Sequence, residues 1–118
     1  MKRASKRYIS WLYDIPTAEQ AYMAAVYIES MREDSNNLTL NLHSGNKNAT
    51  LSTIHKMKGG CDQIGATYLS SLLRKCEKNI KNSHSDFNEI TNELIKFVNE
   101  SVKQVEDFKD NNLMNKEI

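Results

Sequence analysis

The sequence predicts an all-α protein, an up-and-down antiparallel four-helix bundle with a short N-terminal helix, and three observations lead there. Only four Gly and one Pro occur in 118 residues, too few for the turn about every 8–12 residues that an all-β chain requires. Apolar residues recur at spacings of three and four through most of the chain, the period of a core-facing helix. The polar links between those stretches are short, which places sequential helices antiparallel. A length of 118 residues suits one domain spanning 1–118 and is enough to bury a core without disulfides or metals.

Taken in order, residues 1–7 (Met1-Lys2-Arg3-Ala4-Ser5-Lys6-Arg7) form a basic arm expected to fray. Tyr8, Ile9, Trp11 and Leu12 suit a short helix covering one end of the core. A long helix begins near Asp14, Pro16 and Thr17, where Thr17 and Gln20 have capping-box spacing. It carries Ala18, Ala21, Tyr22, Ala25, Ile28 and Met31 and is expected to reach about Leu42. The alternation of Leu38, Leu40 and Leu42 also suits a short strand, but an isolated strand is barely stable. Gly45 terminates the helix within the polar stretch His43–Asn48. The next helix, from about Ala49 to Asp62, lines up Leu51, Ile54, Met57 and Cys61. The strongest pattern follows in Ile64, Tyr68, Leu69, Leu72, Leu73, Cys76 and Ile80, predicting a helix from Gln63 or Gly65 to Lys81. Ser83 with Asp86, or Asp86 with Glu89, offers a cap for the last helix, which carries Phe87, Ile90, Leu94, Phe97, Val98, Val102, Val105 and Phe108. The polar tail 110–118 is expected to fray.

Composition narrows the function classes. A net charge of +1 argues against bulk electrostatic capture of nucleic acid. No apolar run approaches the ~20 residues that span a bilayer, and Asp14 and Pro16 interrupt the apolar residues behind the basic start, unlike a signal peptide. Cys61 and Cys76 fit neither a C-x-x-C motif nor zinc spacing. A reduced, cytoplasmic setting and a monomer are the expectations. A metal-bearing bundle is disfavoured, since no E-x-x-H pair precedes His43, His55 or His84.

Candidate chemistry gathers in the second long helix, where His55, Lys58, Gly59 and Asp62 form one stripe distinct from the apolar one. Lys58 sits one turn from His55, within reach of a group attached to the imidazole. Gly59, also one turn away, has no side chain, and Gly59-Gly60 costs about 0.5–1 kcal/mol per Gly relative to Ala inside a helix. Close approach by another molecule to the histidine face is one compensation; a simple helix end is the other reading of the pair.

The run from Ile54 through Gly65 to Leu69 and Cys76-Glu77 closely resembles the histidine-containing phosphotransfer (HPt) domain. That family carries H-x-[apolar]-K-G, an apolar residue and Gly nine and ten positions after the histidine, and Leu at fourteen. An apolar residue and then Glu or Gln often follow at twenty-one and twenty-two. Met57, Lys58, Gly59, Ile64, Gly65, Leu69, Cys76 and Glu77 occupy those places. Ile54 and Asp62 depart from it, standing where the family commonly has small residues; Asp62 is expected to cap the next helix.

The resemblance implies that His55 accepts a phosphoryl group, Lys58 balances its charge and Glu77 accepts a hydrogen bond from Nδ1–H, leaving Nε2 to attack. Lys56, Gly59, Gly60, Asp62 and Gly65 become candidate docking positions; Lys56 is otherwise a solvated surface residue. Arg74, Lys75, Lys78 and Lys81 suit either a basic surface for an acidic partner or a solvated helix face. No ATP-binding motif is present, so the chain is expected to be a carrier, not an enzyme, with no cofactor of its own. The implied partners are response-regulator receiver domains, which bring Mg²⁺, and a hybrid sensor histidine kinase. The rival reading is a helical adaptor that binds a receiver or kinase without phosphotransfer.

Overall fold

The computed structural model describes residues 6–82 and 86–117, with side chains as far as residue 111. Helices α1 (Ser10–Tyr13), α2 (Thr17–His43), α3 (Lys47–Ile64), α4 (Thr67–Asn82) and α5 (Phe87–Glu117) follow in order. Among the described residues there is no strand. The four long helices pack in a ring, each against its neighbours in sequence and α5 against α2. Cross-links from Asn41 to Thr53 and Asp34 to Lys56 on α2 and α3, and from Asp62 to Ser70 and Lys58 to Glu77 on α3 and α4, run in opposite senses along paired helices. This is the all-α, up-and-down arrangement the pattern predicts.

Two glycines set the sharp turns. Gly45 (φ +67) and Gly65 (φ +80) occupy the left-handed region that glycine enters without a Cβ penalty. At each, paired backbone bonds close the preceding helix in a Schellman motif. Asn46 N–H donates to Asn41 and Gly45 N–H to Leu42 after α2; Ala66 N–H donates to Cys61 and Gly65 N–H to Asp62 after α3. Asn46 then caps α3 by accepting from the Ala49 N–H at 3.0 Å. Gly65 is therefore not in the following helix, and Ile64 belongs to the end of α3.

Side chains from all five helices meet in one core. Ile54, Met57 and Cys61 of α3, Leu69, Leu73 and Ile80 of α4, and Leu94, Val98 and Val105 of α5 are almost wholly buried. Trp11 and Leu12 seal one end, with the Trp11 ring 5.2 Å from that of Tyr27. This agrees with the covering role expected of α1.

In α2 the structure corrects the predicted stripe. The buried positions are Gln20, Ala24, Tyr27, Met31, Asp34, Ser35 and Leu38, whereas Ala18 and Ala25 are exposed and Tyr22 is 70% exposed. Polar members disguised the true stripe, because each is satisfied inside the fold. Gln20 Nε2 donates to the Leu12 carbonyl at 2.9 Å, Tyr27 hydroxyl bonds Ser101 at 2.9 Å, and Ser35 Oγ donates to Asn99 at 2.9 Å. The Thr17–Gln20 capping box does not form. Thr17 is already the first helical residue, Pro16 holds the cap position, and Gln20 is committed to α1. At the other end of the chain the helical backbone of α5 continues beyond Asp110 to Glu117. The basic residues 1–5, and Ser83 and His84 of the α4–α5 link, lie outside the described residues.

Candidate functional site

The α3 helix presents His55 outward while Ile54 and Met57 beside it face the core. The imidazole is 72% exposed, so it packs against little and is open to a partner. Gly65 turns the chain back, and α4 returns antiparallel to bring Glu77 alongside.

Glu77 is largely covered, with its side chain 12% exposed. Lys58 Nζ donates to Glu77 Oε1 at 2.9 Å. Glu77 Oε2 lies 3.7 Å from His55 Nδ1 and 3.8 Å from Lys81 Nζ. The family resemblance implied a direct bond from the imidazole to Glu77; the structure places the pair together but beyond hydrogen-bond length. Lys58 bonds the other oxygen, Oε1. That bond, reinforced by the charges of Lys58, Lys81 and His55, holds the Glu77 carboxyl below its ordinary value against the opposing effect of burial. Glu77 is thus a carboxylate at neutral pH, with Oε2 facing Nδ1 of the ring.

The glycine pair has no internal explanation. Gly59 and Gly60 are exposed, neither has positive φ, and a Cβ built on either meets nothing within 4 Å. Their cost in helix propensity therefore goes uncompensated within the chain; Gly59 leaves the surface clear one turn from His55, while Gly60 borders a groove with Met23, Val26 and Met31 of α2. Gly65 is different, since its conformation ends α3 and sets the register of Glu77 against His55.

Asp62 does not cap α4. Its carboxylate accepts from the Ser70 hydroxyl and from Arg74 Nη2, the latter at 2.7 Å, clipping α3 to α4 below the site. The Ser70 bond holds the Asp62 carboxyl below its usual value. With its charge matched by Arg74, Asp62 adds little repulsion toward an anion at His55. Lys56 points away from the His55 stripe and donates to Asp34 Oδ1 at 2.8 Å. Asp34, only 2% exposed, was not foreseen; its place between Met31 and Leu38 on the core stripe was the available signal. Arg74, Lys78 and Lys81 line a shallow surface cleft with Glu77 and Asn82, so three of the four predicted basic residues border the site.

Among the described residues, no group of His, Cys, Asp and Glu is arranged to hold a metal. Nor, among the described residues, is any helix long and apolar enough to cross a membrane.

The site is thus an exposed histidine on one helix of an antiparallel bundle, with a lysine and a glycine one turn away and a carboxylate from the next helix. The family model for the Hpt domain matches residues 23–108. The chain belongs to the Hpt domain family, whose role is phosphotransfer in two-component phosphorelays, between kinases and receiver domains. Such domains are phosphoryl carriers. No curated protein and no solved structure matches the chain.

Proposed function

We propose that the protein is a phosphorelay intermediate that takes a phosphoryl group onto His55 from a receiver-domain phospho-aspartate and passes it to a response regulator. The observation that carries this reading is the setting of His55, with its ring 72% exposed, Nδ1 3.7 Å from the Glu77 carboxylate, and no atom within 4 Å of a Cβ on Gly59. The carboxylate favours the tautomer with hydrogen on Nδ1, which leaves the lone pair of Nε2 free. Nε2 attacks phosphorus in line as the acyl phosphate P–O bond breaks, and the partner's aspartate leaves as a carboxylate. No proton need move. The ring gains positive charge, steadied by Glu77, and the phosphoryl oxygens draw Lys58.

Positioning and charge stabilisation are most of what phosphoryl transfer requires, so an exposed helix face serves as half of a composite site. The receiver supplies the other half, including Mg²⁺. A hybrid sensor kinase upstream and the cytoplasm as compartment complete the proposal; no ATP-binding motif occurs in this chain.

Incubation with a ³²P-labelled receiver tests the assignment. The wild-type chain should acquire acid-labile label and His55→Gln should acquire none, with its helical circular dichroism unchanged. Label on His43 or His84 in that variant refutes the choice of residue. A complex that forms without transfer of label favours the adaptor.

A further inference from the structure

The Glu77 carboxylate has three nitrogen groups around it, arranged unequally. Oε1 is bonded by Lys58 at 2.9 Å, while Oε2 faces His55 Nδ1 at 3.7 Å and Lys81 Nζ at 3.8 Å. The last two contacts lie roughly 1 Å beyond a normal hydrogen bond. Lys81 is 59% exposed and sits one turn along α4 from Glu77, so its side chain can close that gap without backbone movement.

This arrangement creates a conflict once His55 carries a phosphoryl group. Lys58 lies one turn from His55 on the same stripe, whereas Lys56, the other cation beside it on α3, is bonded to Asp34. The phosphoryl oxygens carry close to two negative charges, against one on the carboxylate, and present more acceptor positions. A lysine drawn to them leaves Glu77 behind. A carboxylate that is 12% exposed is poorly hydrated and is costly without a cation.

We infer that Lys58 exchanges partners on phosphorylation, leaving Glu77 for the phosphoryl group, and that Lys81 closes on Glu77 Oε2 in its place. The inference rests on the reading of His55 as phosphoryl acceptor. Lys81 is then a positioning residue of the phosphorylated state. As the Nε2–P bond forms and the donor's P–O bond breaks, Nδ1 keeps its hydrogen and the ring becomes cationic. Nδ1–H and Lys81 both approach Oε2 while Lys58 departs from Oε1. Without Lys81, Glu77 competes with the phosphoryl group for Lys58 and pulls harder on the protonated ring. Both effects favour loss of the phosphoryl group, because a protonated imidazole is the better leaving group.

The test uses the full chain with Lys81→Met and Lys81→Arg, labelled at histidine with phosphoramidate and followed by ³¹P NMR. Lys81→Met should shorten the phosphohistidine half-life at least threefold, and by clearly more than it slows labelling, while Lys81→Arg restores the half-life. In the wild type, the ¹⁵Nζ signals of Lys58 and Lys81 should both shift on phosphorylation, and Glu77→Gln should reduce the Lys81 shift. A half-life indifferent to Lys81→Met, a labelling rate that falls as much as the half-life, or a Lys81 signal that does not respond overturns the exchange alone. A wild-type chain left unlabelled by phosphoramidate and by a phosphorylated receiver overturns the carrier reading, and the exchange with it.

Discussion

Replacing Gly59 separates the two things a glycine can do in the middle of α3. The position has ordinary helical φ, it is exposed, and a Cβ placed there meets no atom within 4 Å. Nothing in the fold therefore opposes a side chain, and the helix should gain about 0.5–1 kcal/mol from Gly59→Ala and somewhat less from Gly59→Gln. For a chain of 118 residues the unfolding entropy converts that gain into a rise of about 2–4 °C in Tm. Function should move the other way, and by size. Gln projects several ångströms from the stripe that bears His55, so it should obstruct a receiver domain, whereas Ala adds one methyl group. The assay pairs thermal unfolding with two labelling reactions, one from a phosphorylated receiver and one from phosphoramidate. Gly59→Gln should slow receiver transfer at least tenfold yet accept phosphoramidate at close to the wild-type rate, since the small donor needs no docking surface. Normal receiver transfer by Gly59→Gln would refute the idea that close approach explains the glycine. A drop in Tm would refute the open surface on which the stability estimate rests.

Two further predictions concern charges that hold the helices in register. Lys56→Met should cost about 1–3 kcal/mol in urea unfolding, because it strips the cation from Asp34, which is 2% exposed; adding Asp34→Asn should recover part of the loss, and a cost that the second change does not reduce would mean that the pair is not the cause. Stability should also fall at acid pH in a defined direction. Glu77 and Asp62 both titrate below their ordinary values of 4.5 and 3.8 in the folded chain, so their contributions are present above those values and are lost as pH falls through the depressed folded ones. Glu77→Gln should flatten that acid loss, as read from denaturant midpoints across pH.

What could be seen in advance depended on whether a feature lay within one helix. His55, Lys58, Gly59 and Asp62 share a stripe by spacing alone, and the α4 and α5 core faces are written mainly in apolar residues such as Leu69, Leu73, Leu94 and Val98, with Ser70, Thr91 and Ser101 buried among them. The face of α2 does not read as a core stripe in the sequence because its buried positions include Gln20, Asp34 and Ser35, whose partners come from α1, α3 and α5. A polar residue looks like surface until the group that satisfies it is known, and that group is distant in sequence. The same limit governs the site. Glu77 could be placed near His55 by resemblance, but which donor it serves is decided by the difference between 2.9 Å to Lys58 and 3.7 Å to the ring. Those distances depend on the register of α4 against α3, which the left-handed Gly65 establishes, and on competition among cations from both helices. A spacing rule along one chain segment carries no information on that competition. Glu77 is held by a lysine that the phosphoryl group would also claim, so its part in orienting the ring is conditional on the charge state of His55, a dependence that only the assembled α3–α4 pair displays.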